Sequence, residues 1–206
     1  MPYKWEGLDI LAPLTIKSNQ TIWTVEKLDK SIDRMSSPSQ RWDMNFSVKD
    51  NENEGAAFKA MTSGFASKSF MPMPNLLRSK HSTSNFIAPT WDAIRLGVVS
   101  ASGATTVSLK NVTGVGLASG VSAFIQFVND TKVYAATTQA VFNPFASNVA
   151  LSIFPPLRKA TPIDTVVRFY DHVTYHYYLN TDNLQGITYT DGILFGIENV
   201  ALWEAL

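Results

Sequence analysis

From Gln40 to Val48 every second residue is apolar: Trp42, Met44, Phe46 and Val48 alternate with Arg41, Asp43, Asn45 and Ser47. A strand sends successive side chains to opposite faces, so this stretch predicts a β-strand with one buried and one wet face. The same period recurs along the chain. "TIWTVEKL" (21–28) alternates less cleanly, and "SKSFMPM" (67–73) reads as an edge strand, because its prolines cannot serve a central ladder. "TVVRFYDHVTYHYYL" (165–179) predicts one long strand with Val167, Phe169, Val173, Tyr175, Tyr177 and Leu179 on one side. "DGILFGIENVALWEAL" (191–206) is apolar almost throughout, which predicts a strand paired in the core. Only "NENEGAAFKAMTSGF" (51–65) carries a helical pattern, with Phe58 and Met61 on one face and acidic residues near its start.

The middle of the chain is patterned differently. Two turns divide it: Gly103-Ala104 between "GVVSAS" and "TTVSLKNV", and Asn129-Asp130-Thr131 between "SAFIQFV" and "KVYAATTQAV". "SNVALSIF" (147–154) follows, with Val149, Leu151 and Ile153 on one face. Five short strands at this spacing predict a small barrel of the OB type or a compact sandwich.

Charge marks the same region. The chain holds 17 basic and 17 acidic side chains, yet between Gly97 and Leu157 only Lys110, Asp130 and Lys132 are charged. The proline-rich "FPPLRKATP" (154–162) closes the stretch. The expected architecture is therefore all-β. Residues 1–92 and 161–206 form a β-sandwich or barrel domain with one short helix, and residues 93–160 form an inserted OB-like β-barrel.

Composition removes several function classes. A net charge of zero gives no long-range attraction to nucleic acid or an anionic membrane. The insert offers only Lys110 and Lys132 for a phosphate backbone, so specific nucleic-acid binding is not expected. No apolar run is long enough to span a bilayer, no signal-peptide pattern opens the chain, and no membrane partner is expected. The absence of cysteine excludes disulfides and Cys-ligated metal, and fits a reducing compartment of synthesis. The Asn-x-Ser/Thr sequons at Asn19, Asn45, Asn111 and Asn129 carry no weight without secretion.

Candidate chemistry is sparse. His172 and His176 share one face of the predicted 165–179 strand, with Arg168 and Tyr170 as neighbours and Asp171 on the other face. Two histidines are too few ligands for zinc, and half-exposed residues among tyrosines are the better reading. His81 stands alone in a polar loop. "GVGLASG" (114–120) has the wrong glycine spacing for a dinucleotide loop, and reads as a β-connection. Glu52 and Glu54 sit at the helix start, where the dipole accounts for them. No nucleophile elbow, Walker loop or His-Glu-x-x-His motif occurs. The expectation is a protein that is not an enzyme, with no catalytic, cofactor-binding or metal residues. Phe124, Phe127, Tyr134, Phe142 and Phe145 are the aromatics the insert could offer a sugar, though most of them are better spent on its own core.

Three passages in order carry a resemblance. "SQRWDMNFSV" resembles the early Gln-x-Trp strand of the distal tail protein (Dit) family of long-tailed bacteriophages, in its form with an inserted OB-like domain. "VSAFIQFVNDTKVYAATTQAVFNPFASNVALSIFPPLR" (121–158) resembles that insert, and "DGILFGIENVALWEAL" its terminal strand with a Glu-x-Leu end. The first 20 residues and "SKHSTSNFIAPTWD" (79–92) match nothing in the pattern. The resemblance implies a structural protein of the virion tail. It would form a homo-hexameric ring at the distal end, joining the tail tube protein to the baseplate hub protein. Two other readings stay open: a carbohydrate-binding accessory module that meets a host-surface glycan, and a monomeric intracellular β-protein.

Overall fold

A computed structural model describes residues 4–19, 22–26, 32–36, 40–49, 62, 64, 67–74, 91–121, 123–180, 186–190 and 193–206. In chain order the strands begin with β1 (Lys4–Trp5), β2 (Leu8–Asn19), β3 (Ile22–Glu26), β4 (Ile32–Ser36), β5 (Arg41–Lys49) and β6 (Ser69–Pro72). Then come β7 (Ile94–Leu96), β8 (Thr106–Asn111), β9 (Leu117–Ser119), β10 (Phe124–Phe127), β11 (Tyr134–Ala136) and β12 (Ala140–Phe142). β13 (Val149–Phe154), β14 (Val167–Phe169), β15 (Thr174–Leu179), β16 (Gly186–Thr190) and β17 (Ile193–Glu204) complete the set. A 3-10 turn, Tyr170–His172, separates β14 from β15. The protein is all-β, with a sheet built from both ends of the chain and an inserted, nearly closed six-strand barrel. The helix expected over 51–65 lies almost wholly outside the described residues. The chain divides into two compact units, Met1–Met71 with His176–Leu206, and Pro72–Tyr175.

In the first unit, β5 occupies the middle of the sheet order β1-β2-β5-β17-β15-β6, and β16 pairs with β17. The alternation of β5 becomes its two faces. Trp42, Met44, Phe46 and Val48 are buried, and Arg41, Asp43, Asn45 and Ser47 are half-buried. Phe46 meets the edge of Trp5, with ring centroids 5.6 Å apart. The Trp5 indole N–H donates to the Tyr177 hydroxyl (2.8 Å), which donates to Glu6 Oε1 (3.1 Å). Tyr177 fixes one glycine as well. At Gly64 the φ is +83°, and a Cβ would lie 2.9 Å from the Tyr177 ring, so no side chain fits there without displacement. The C-terminal apolar run forms β17, which pairs with β5 on one side and β15 on the other. β6 ends the sheet, as Pro72 predicts. β4 pairs with β3 in a separate two-stranded ribbon that the pattern at 21–28 only half announces.

The barrel runs β14-β10-β11-β13-β8-β7. Its two ends meet at the bridge between Arg95 and Val166, beside a hydrogen bond from Leu96 N to Thr165 O (2.9 Å). The core is a single cluster that includes Leu109, Ile125, Phe127, Tyr134, Phe142, Leu151 and Phe169. Edge-on contacts of Phe127 with Tyr134 (5.6 Å) and Phe142 with Phe169 (6.2 Å) fill it with rings. β10 and β11 form the hairpin expected around Asn129–Thr131.

Three details differ from the sequence reading. The hairpin around Gly103-Ala104 is wider than expected: β8 pairs with β7, which lies before "GVVSAS", and with β13, while Val98 and Val99 stand exposed in the long connection after β7. The 132–141 strand is cut into β11 and β12, and β12 pairs with β9 rather than continuing the barrel. The expected 165–179 strand is broken by the 3-10 turn, where Tyr170 takes φ +51° and Val173 N donates to Tyr170 O (3.0 Å). As a result β14 belongs to the barrel, whose compact unit reaches Tyr175 instead of ending at residue 160.

Candidate functional site

The 3-10 turn decides the histidine pair. His172 lies in the turn with its ring edge-on to Trp91, while His176 lies on β15 beside Phe70, each at a centroid distance of 6.1 Å. They do not share a strand face. Among the described residues, no group of three or more His, Asp or Glu side chains could hold a metal ion. His81, Glu52 and Glu54 lie outside the described residues. The glycine stretch 114–120 is a bend followed by β9, as expected of a β-connection.

Of the five aromatics open to a sugar, Phe127, Tyr134 and Phe142 are fully buried and Phe124 is half-buried. Phe145 alone stands out, 72% exposed. It also carries φ +51°, a backbone state that is uncommon for a bulky side chain and costs of order 1–3 kcal/mol. The loop that bears it is held from beneath by Asn111, which is buried. The Asn111 side-chain amide donates to the carbonyls of Val115 (2.8 Å) and Asn143 (3.0 Å), and its Oδ1 accepts from Thr113 N (2.9 Å) and Oγ1 (2.8 Å). Phe145 N in turn donates to Thr113 O (3.0 Å). The ring leans over Gly114, where a Cβ would meet it at 3.5 Å, and is otherwise open to solvent.

The stretch of chain that carries this loop is nearly free of charge. Of the three charged residues between Gly97 and Leu157, Asp130 and Lys132 are buried, and Lys110 pairs with Asp164 at 2.5 Å. Val98, Val99, Val115 and Val121 are exposed on it. The buried carboxylate of Asp130 is fully used. It accepts from Lys132 N (3.2 Å), from the Tyr134 hydroxyl (3.1 Å) and from the Arg158 guanidinium. Tyr134 Oη in turn accepts from Arg158 N (3.0 Å). Burial raises the Tyr134 pKa above its ordinary value of 10.0, and the adjacent Asp130 adds to the effect.

One group of cations was not visible in the sequence. Ile94 and Leu96 of β7 and Val167 and Phe169 of β14 are buried, so Arg95 and Arg168 between them face outward. Lys110 stands opposite Arg95 in the β7–β8 register. The bridge from Arg95 to Val166 puts Arg168 on the diagonal position of the same face, within reach of long side chains. Lys110, Arg95 and Arg168 thus form a stripe across three neighbouring strands. The Arg168 guanidinium lies 4.2 Å from the centroid of Trp91, which is itself half-exposed and touches His172. The Nε atoms of Arg95 and Arg168 are buried and have no hydrogen-bond partner among the described residues. Burial also lowers the Arg168 pKa. The stripe therefore adds Arg95 and Arg168 to Lys110 at the surface, while Lys132 is inside and Arg158 and Lys159 lie on the segment after β13.

No protein-family model matches the chain, and no curated protein matches it.

Proposed function

We propose that this chain is a structural subunit of a long-tailed phage virion, six copies forming a ring at the distal end of the tail between the tail tube and the baseplate hub. The order of motifs that resembles the Dit family, and the all-β architecture with an inserted barrel, support this reading together. The observation that carries it is the barrel surface from Gly97 to Leu157, which has exposed apolar side chains and no free charge. Such a surface is costly to leave in water and suits burial against neighbours, in interfaces that each exceed about 1,000 Å² when assembly is stable. Function then lies in the frame: β5 and its sheet hold the subunit together so that its surfaces can assemble. No reaction is required of it.

Phe145 is the anchor expected at such a contact, since exposed aromatics on rigid loops dominate interface energetics. Phe145→Asp separates assembly from stability, because Asp tolerates positive φ better than Phe. The isolated subunit should keep its thermal midpoint or gain slightly, while the assembly constant measured by sedimentation falls at least about tenfold. An unchanged assembly constant contradicts a role for this surface in the ring.

A further inference from the structure

The stripe on the outer face of β8, β7 and β14 has a cost that the fold does not recover. Like charges directly opposite each other on a sheet destabilise it, and Lys110 faces Arg95. Asp164 offsets the Lys110 charge alone. Arg95 has no ion pair among the described residues, and Arg168 has only the face of Trp91. Both residues are half-buried, with an Nε–H that is buried and lacks an acceptor, so the part of each guanidinium open to a ligand is its outer Nη end.

We propose that Arg95 and Arg168 form a binding site for one phosphate ester group, with the half-exposed Trp91 beside it taking the sugar that carries the phosphate. A phosphate supplies several strong acceptor oxygens, which match two guanidinium forks in number and geometry, and Arg binds such groups better than Lys because of that fork. Trp91 offers apolar ring surface to the organic part of the ligand. The stripe takes one phosphate rather than a strand of nucleic acid. Only two of its cations lack a carboxylate partner, a single aromatic accompanies them, and the acidic Asp92 and Asp171 stand exposed in the chain next to Trp91 and His172. The site lies wholly within the barrel unit, and does not rest on the ring reading.

Titration calorimetry of the full chain at low salt tests this with glucose 6-phosphate, inorganic phosphate, glucose and an oligothymidylate as probes. The expected order is saturable binding of the sugar phosphate, weaker binding of inorganic phosphate, and none of glucose. Arg95→Gln and Arg168→Gln should each weaken the sugar phosphate about tenfold, with Arg168→Lys close behind, since it keeps the charge and loses the fork. Trp91→Ala should bring the sugar phosphate down to the level of inorganic phosphate. Lys17→Gln, on exposed β2, should change nothing. Circular dichroism of each variant guards against loss of folding, and Arg168→Lys provides a conservative change if Arg168→Gln does not fold. The proposal is overturned by absence of saturable phosphate binding, by binding that survives Arg95→Gln and Arg168→Lys unchanged, or by tighter binding of the oligothymidylate.

Discussion

Phe46→Ala is expected to destabilise the protein by about 3–5 kcal/mol, the range for deleting a buried phenyl ring from a close-packed core. The ring is 3% exposed on the middle strand of its sheet, between the buried Met44 and Val48, and it meets Trp5 edge-on. Little can collapse into the space left behind. Trp5 is fixed by its hydrogen bond to Tyr177, and β5 is paired along both sides, by β2 and β17. For a chain of this size each kcal/mol moves the thermal midpoint by roughly 2–4 °C, so the fall should be about 10 °C. An unchanged midpoint in a circular-dichroism melt contradicts the assignment of this face to the core.

Asp130→Ala should have the next largest effect, about 2–3 kcal/mol on the barrel, as for removing a buried charged acceptor whose cationic partner, Arg158, still reaches water. The carboxylate stands in the β10–β11 turn and ties it to the segment after β13 through Arg158. Its loss leaves the buried Tyr134 hydroxyl without the acceptor it now has. The same network sets a pH dependence. Burial raises the folded-state pKa of Tyr134 above 10.0, so above that pH the unfolded chain releases a proton that the folded barrel keeps. This contribution to stability is fully present below pH 10 and declines as pH rises beyond it. Unfolding titrations in urea between neutral pH and pH 11 should show the decline, and Tyr134→Phe should lessen it; an equal slope in the two proteins contradicts it.

How much of this was legible depended on strand length. β5 and β17 are long enough for a period of two, or an unbroken apolar run, to show, and both were placed correctly from the pattern. β7, β9, β11, β12 and β14 have three residues each, too few for alternation to distinguish a strand from its connection. That is why the valines at 98 and 99 read as half of a hairpin. The break at Tyr170 left one mark in the sequence: Asp171 falls on the face of Phe169 and Val173 and interrupts the apolar series where the backbone turns, but the apolar residues on either side carry the pattern across it. The sparse charge located the barrel's middle but not its limits, since β7 and β14 carry outward-facing arginines like the flanks. For the same reason the stripe of Lys110, Arg95 and Arg168 could not be read: barrel closure brings its members together from distant parts of the sequence.

Assembly of the purified protein bears most directly on the proposed function. Light scattering with negative-stain imaging of the untagged chain should give a mass about six times 22.7 kDa and a closed ring with sixfold symmetry in the class averages. A particle of 22.7 kDa that stays monomeric across the accessible concentration range, with no ring in the images, would contradict it.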